Sequence, residues 1–300
     1  MKNIKKLLYS RKVAHYVFVL PFILSFAMFW IYPLFSTVKM SFQSILPGEI
    51  KWVKFDNYSK LLKDSAFHLA IKNSFQYMLW TLLLLIPFPM LFASLMDSNL
   101  VKLKGLYKAL LYLPALTSVV VAGTIFRLMF SELEGSQMNQ LLSWFNIQPI
   151  KWLKLRSTSY FALLTIACWR WTGVNMLYFL SGLKNIDKGL YEAAEIDGAG
   201  GVQKFTYITL PLLKPTTIYV LTISIYAGLA MFLESFMLWN GNASPNNIGL
   251  TIVGYLYRRG IEKNQLGYAS AVGLVLLGIA LTINIIQLIM NGTFRKEEKA

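Results

Sequence analysis

Two ionisable side chains stand inside long apolar stretches of this sequence: Arg170, within Trp169-Arg170-Trp171, and Glu234, within Phe232-Leu233-Glu234-Ser235. A charge at hydrocarbon depth is expensive, and it marks either a solute path or a structural ion pair. Both readings are open from the sequence. So is a third, in which Arg170 lays its stem along apolar surface and carries its head to water. Intramembrane catalysis would need clustered His, Asp or Glu at depth. The chain has only His15 and His68, far apart and outside the apolar runs. It has no His-Glu-x-x-His and no paired carboxylates within a run, which argues against an enzyme. No residues show metal-ligand spacing. Cys168 is the only cysteine, which excludes an intrachain disulfide and reads as a small buried hydrophobe.

A second constellation lies in a polar segment, Leu190-Tyr-Glu-Ala-Ala-Glu-Ile-Asp-Gly-Ala-Gly-Gly-Val-Gln-Lys-Phe-Thr-Tyr-Ile-Thr-Leu-Pro-Leu-Leu-Lys-Pro215. Leu190, Ala193, Ala194 and Asp197 recur at i, i+3, i+4 and i+7 and share a helix face. The two alanines let another surface approach closely. Glu192 and Glu195 lie off that face, free for ion pairs. Gly198 and the Gly200-Gly201 pair should end this helix with positive φ, and Ala199 falls in that break. Phe205 and Ile208 make a second apolar stripe before Leu210-Pro211 and Pro215 close the segment. The result should be an L-shaped helical protrusion. It either docks into a groove on a partner or lies on a membrane surface.

These residues need elements to hold them, and composition says which. Of 300 residues 14% are charged and 56% hydrophobic, against about 25% charged in a soluble globular domain; mean hydropathy is +0.50. A bilayer core requires about 20 apolar residues in a helix, and six stretches supply them: 16–38, 74–95, 106–130, 160–183, 216–239 and 268–290. Backbone polar groups in lipid must bond internally, so these are helices. The fold class expected is all-α, a six-helix membrane domain over 16–290 with short polar ends at 1–15 and 291–300. The first apolar stretch is too long for a signal peptide and has no small-residue cleavage site, so it reads as an uncleaved span. Pro21, Pro33, Pro87, Pro89 and Pro114 punctuate the spans and each removes a backbone donor.

The net charge is +15. The basic residues lie between apolar runs, the pattern of membrane flanks meeting anionic headgroups and not of a nucleic-acid surface. With the N-terminus inside, segments 1–15, 96–108, 184–215 and 291–300 carry 15 Lys and Arg, against 12 in the longer outer loops. That asymmetry favours both termini in the cytoplasm.

The polar segment resembles the EAA loop of ABC importer permeases: Glu-Ala-Ala at 192–194, Asp-Gly-Ala at 197–199, then Phe205, Ile208 and Leu210-Pro211. Leu20-Pro21, Tyr32-Pro33, Asp56-Asn57-Tyr58, Tyr112-Leu113-Pro114, Ser181-Gly182-Leu183 and Tyr268-Ala269-Ser270-Ala271 extend the likeness along the chain, towards the sugar-uptake branch of that family. Lys54 stands where the branch has Gly, and Trp239-Asn240-Gly-Asn-Ala-Ser-Pro245 replaces its Thr-x-Gly-Gly-Pro.

The resemblance implies a cell-membrane permease that forms a translocation path with a second, paralogous permease by alternating access. It implies two cytoplasmic ATPases that use ATP and Mg, and an extracytoplasmic binding protein that delivers solute. This chain has no Gly-x4-Gly-Lys-Ser/Thr, so it binds no nucleotide cofactor of its own. Residues 186–211 would form the coupling loop, with Glu192 paired to a basic group of the ATPase, Ala193 and Ala194 in close contact, Gly198 at the bend, and Asp197, Ala199, Phe205, Leu210 and Pro211 completing the motif. Sugars need planar hydrogen-bonding groups and ring faces, so Arg170, Asn175, Tyr226, Glu234, Trp239 and Asn240 are the path candidates. Interfacial belt or core packing is the simpler account of each aromatic one. A polyol phosphate or a polyamine is the alternative solute.

Overall fold

The computed structural model describes residues 14–98 and 101–291. The expected polar ends, 1–15 and 291–300, lie almost wholly outside them. The described chain is mainly helical. Its helices are α1 (Ala14–Phe26), α2 (Tyr32–Ser41), α3 (Asp56–Lys63), α4 (Ser65–Leu85), α5 (Pro87–Asp97), α6 (Lys104–Leu116), α7 (Val119–Met129), α8 (Gln137–Ser143), α9 (Arg156–Leu183), α10 (Lys188–Ile196), α11 (Gly201–Lys204), α12 (Leu210–Leu212), α13 (Lys214–Leu229), α14 (Leu233–Trp239), α15 (Ile252–Tyr257) and α16 (Leu266–Met290). Three helical stretches are long and apolar enough to cross a membrane: 15–41, 65–97 and 266–290. Two bent helix pairs, 104–116 with 119–129 and 201–212 with 214–229, meet the same test together. The 28-residue α9 carries Arg170 and several polar residues and is not among these.

Several departures from the expected spans have local causes. The all-α expectation misses a two-stranded hairpin, β1 (Gln43–Leu46) against β2 (Glu49–Trp52), paired from Gln43 with Trp52 to Leu46 with Glu49. Pro47-Gly48 turns it, with Gly48 at φ +81°. The stretch expected as one helix over 106–130 bends by 95° between α6 and α7. Pro114 removes a donor in the last turn of α6, and Thr117 and Ser118 are extended. The stretch over 216–239 breaks at Ala230–Phe232, where Phe232 leaves helical geometry. In 74–95 the break comes at Ile86, ahead of Pro87 and Pro89.

The described residues form two compact units. The first comprises 14–63 and 256–276. In it Asn57 Nδ2 donates to Ser41 O (2.8 Å) and Gln43 O (2.9 Å), and Tyr58 Oη donates to Ser41 Oγ (2.8 Å). Asp56-Asn57-Tyr58 is thus the knot that ties α3 to the end of α2. Lys54 sits just before it at φ +50°, the left-handed region that favours the Gly it replaces.

The second unit, 64–255 and 277–291, is built on α9. This helix packs against α4, α5 and α6; α13 packs on α4, and α7 on α14. Close approach is obligatory at two glycines. A Cβ on Gly173 would fall 1.9 Å from Leu111 O of α6, and one on Gly123 would fall 2.3 Å from Met237 Cβ of α14. One apolar cluster gathers Phe126, Phe130, Trp152, Leu163 and Leu238; another gathers Met90, Met176, Phe179 and Leu213.

Candidate functional site

A cavity of about 420 Å³ opens in the second unit. Four helices and a break line it. From α4 come Tyr77, Thr81 and Leu85, spaced four apart. From α9 come Trp171, Val174, Asn175 and Tyr178, at i, i+3, i+4 and i+7. From α13 come Ile223, Ser224, Ala227 and Gly228, and from the break and α14 come Ala230, Met231 and Glu234. These spacings are those of single helix faces. The lining mixes aromatic rings with hydroxyl and amide groups, which suits a polyhydroxylated solute. Ala230 and Met231 bring irregular backbone to the cavity, and such backbone is tolerated at membrane depth where it lines one.

Arg170 Nη1 donates to Glu234 Oε1 at 2.9 Å, tying α9 to α14, with the two side chains 12% and 14% exposed. The guanidinium also lies over the Trp171 ring, 5.3 Å from its centroid. Arg170 Nε is buried with no hydrogen-bond partner among the described residues. A second cavity, about 380 Å³, shares Glu234 and Ala230 with the first and adds Arg170, Phe232 and Leu233 to its wall.

Of the six path candidates, Arg170, Asn175 and Glu234 converge here. Asn175 carries a structural duty as well, since its Nδ2 donates to Leu85 O at 2.8 Å. That carbonyl lost its helical donor because residue 89 is proline. The other three stand elsewhere. Tyr226 is on α13 but off the cavity, largely exposed. Trp239 donates through Nε1 to Leu153 O at 3.0 Å. Asn240 caps α14 in the left-handed region at φ 55°. Sequence reasoning missed Tyr77, Thr81, Trp171, Tyr178 and Ser224. Their helical spacing was legible, but which face turns inward was not.

The loop at 186–211 is a second site. Asp187 accepts from the Gly189 N–H (2.9 Å) and caps α10. At the other end Gly198, at φ +77°, donates to Glu195 O (3.1 Å), and Ala199 donates to Ala194 O (2.8 Å). These two bonds are the Schellman arrangement, with Asp197 as C-cap and Gly198 in the position that needs positive φ. Gly200 instead has φ −71° and begins α11, with Gln203 Oε1 accepting from its N–H. Positive φ, expected over Gly198 and the Gly200-Gly201 pair, is therefore used at Gly198 alone, and Gly200 and Gly201 open the next helix instead.

Glu192 and Ala193 are exposed, Ala194 half-buried, and Glu192 pairs with no described residue. Glu195 is taken by Lys204 at 3.4 Å. Ile196, Val202 and Tyr207 are the apolar side chains the motif reading passed over, at 87%, 78% and 80% exposure. Phe205 packs on the core cluster of Leu213 and Phe179, while Leu210 and Pro211 are exposed. Tyr191 Oη and Thr209 Oγ1 are 2.9 Å apart and brace α10 against the π-helical turn Phe205–Thr209.

Fold and sites define a membrane-embedded transport component: long apolar helices, an amphiphilic cavity between them, and an exposed helical loop. Residues 90–296 match the model of the binding-protein-dependent transport system inner membrane component family, and the chain belongs to that family. It is a transporter permease subunit and not an enzyme. It is 50% identical over 293 residues, 98% of this chain and 93% of the relative, to the arabinooligosaccharides transport system permease protein AraP of Bacillus subtilis. Against the protein of the same name from Halalkalibacterium halodurans it is 49% identical, over 97% of this chain and 91% of the relative. A crystal structure of a bacterial ABC transporter involved in import of the acidic polysaccharide alginate contains a chain that superposes with a TM-score of 0.84 at 25% identity, covering 99% of this chain and all of that one. A second crystal structure, of a bacterial alginate transporter in complex with alginate pentasaccharide-bound periplasmic protein, superposes equally well at 26% identity, over 98% of each chain.

Proposed function

We propose that this chain is the sugar-conducting permease subunit of an ATP-driven importer, and that an oligosaccharide passes beside the 420 Å³ cavity. Support comes from the half-identical relatives named for arabinooligosaccharide transport and from the ring faces, hydroxyls and amide on the cavity wall. In this reading α9 completes a set of six membrane spans, with α6 and α7 counted as one and α13 with α14 as another, residues 201–211 belonging to the loop that precedes the latter. Its 28 residues extend about 42 Å, ample for a bilayer core. The permease domain runs over 16–290 in the cytoplasmic membrane, and both termini face the cytoplasm.

The observation that carries the energy coupling is the exposed α10, capped at both ends and presenting Glu192, Ala193 and Ile196 with no use among the described residues. A short rigid helix with an apolar and acidic face fits a groove with a basic rim. Its occupant is a cytoplasmic ATPase, one of two, which uses ATP and Mg. Asp197 and Gly198 set the bend, Ala199 closes the cap, and Phe205, Leu210 and Pro211 pass motion into α13. A second permease, of the same architecture, supplies the other half of the path, and an extracytoplasmic binding protein supplies solute.

The test is solute-stimulated ATP hydrolysis in proteoliposomes holding the whole system, with a panel of oligosaccharides, a polyol phosphate and a polyamine. One sugar should stimulate, and Glu192→Ala should reduce that stimulation at least tenfold. Undiminished stimulation in the variant would remove Glu192 from the coupling contact. Stimulation by a non-sugar alone would move the substrate class.

A further inference from the structure

The Arg170–Glu234 pair is asymmetric with respect to the cavity, and that asymmetry has a chemical consequence. Glu234 lines both the 420 Å³ and the 380 Å³ cavity; Arg170 lines the 380 Å³ cavity and is absent from the wall of the first. The remaining wall holds Tyr77, Trp171, Tyr178, Thr81 and Ser224, with no lysine, arginine or histidine. The one ionised group turned to the cavity is therefore a carboxylate whose cation is already engaged at 2.9 Å.

We infer that Glu234, held by Arg170, is a specificity-determining residue that admits uncharged saccharides and rejects uronates. This rests on the reading of the cavity as part of the sugar path. A solute carboxylate brought here must shed water with no cation to receive it, and it meets a like charge across a low-dielectric space. A neutral saccharide meets neither cost. It can stack a ring face on Trp171 or Tyr178 and exchange hydrogen bonds with the hydroxyl groups of the wall. Tyr77, nearly fully buried, makes no side-chain hydrogen bond among the described residues and so has its hydroxyl free for solute. Arg170 sets the behaviour of Glu234: the 2.9 Å contact fixes the carboxylate in place, and the guanidinium is itself absent from the wall of this cavity. Neutralising Glu234 frees the guanidinium and turns the wall from anion-rejecting to anion-accepting.

Saturation-transfer NMR reads weak saccharide binding, and the assembled permease–ATPase complex in nanodiscs is the sample. The probes are arabinotriose, neutral, and trigalacturonate, a trianion of the same length. Wild type should transfer saturation to arabinotriose and at least tenfold less to trigalacturonate. Glu234→Gln should raise the trigalacturonate signal severalfold, and Arg170→Gln/Glu234→Gln should abolish that rise. Ala227→Lys adds a cation at an exposed lining position without touching the pair. It should raise the trianion signal too, and so tests the charge argument independently of whether the pair variants fold. Equal wild-type signals from the two probes, or no gain in either Glu234→Gln or Ala227→Lys, would overturn the charge selection while leaving the path reading intact. Absence of signal from any saccharide would overturn both. Signal from spermidine in place of arabinotriose would make Glu234 a cation receptor and overturn the proposal.

Discussion

Glu234 and Arg170 stabilise the packing of α14 on α9 only as a pair. Removing one partner of a buried ion pair leaves the other uncompensated, at a cost of about 3–5 kcal/mol, while replacing both with apolar residues of similar volume is close to neutral. Glu234→Ala should therefore lower thermal stability in detergent sharply, and Arg170→Met/Glu234→Leu should restore most of it; a denaturation series on the three proteins checks this. Asn175 follows the same logic with a backbone partner. Asn175→Leu strands the buried Leu85 carbonyl beside the proline break, at about 1–3 kcal/mol. A stability loss without any change in solute binding would show that its amide serves the helix and not the sugar. Both roles were open at the level of residue type, because a sequence does not state what a polar side chain faces.

At the level of elements, glycine positions make the sharpest claims. Gly173→Leu puts a side chain where the Leu111 carbonyl of α6 already stands, so α6 must move off α9. The expected result is loss of folded protein in a fluorescence size-exclusion profile. Lys54 works in the opposite sense. A non-glycine residue in the left-handed region gives up about 1 kcal/mol or more, so Lys54→Gly should stabilise the hairpin region by about that amount, read as a higher melting temperature. The proposed coupling loop has an internal brace. Tyr191→Phe removes the contact with Thr209 and should raise the ATP hydrolysed per solute imported while leaving ATPase attachment intact; measuring both quantities on one preparation checks it. Proline-driven breaks at Ile86 and near Thr117 were partly legible, since Pro87, Pro89 and Pro114 stand in the sequence. The break at Ala230–Phe232 has no proline and was not legible. There the irregular backbone accompanies the cavity it lines.

Across the whole molecule, the proposed six-span topology with both termini inside can be tested using the single native cysteine. In a Cys168→Ser background, cysteine placed at Glu134 should react with a membrane-impermeant maleimide on intact cells. Cysteine placed at Glu192 should react only after permeabilisation. The reverse pattern would invert the topology and put α10 out of reach of a cytoplasmic ATPase.

Apolar runs, the acid-alanine-glycine loop and the absence of a nucleotide cradle are properties of order along the chain. They carried the membrane class and the permease family without any coordinates, and they motivate the proposals of a coupling loop and an outside energy source. The helix end at Gly198 followed too, because that residue acts on neighbours within a few residues of itself. Distance between remote residues is another matter. That Arg170 meets Glu234 64 positions away, that Asn175 turns to a carbonyl 90 positions earlier, and that Trp239 turns from the cavity to Leu153 all depend on which helix faces pack together. Packing is decided by the fit of every side chain at once, so the cavity and the sign of the charge it presents emerge only in three dimensions.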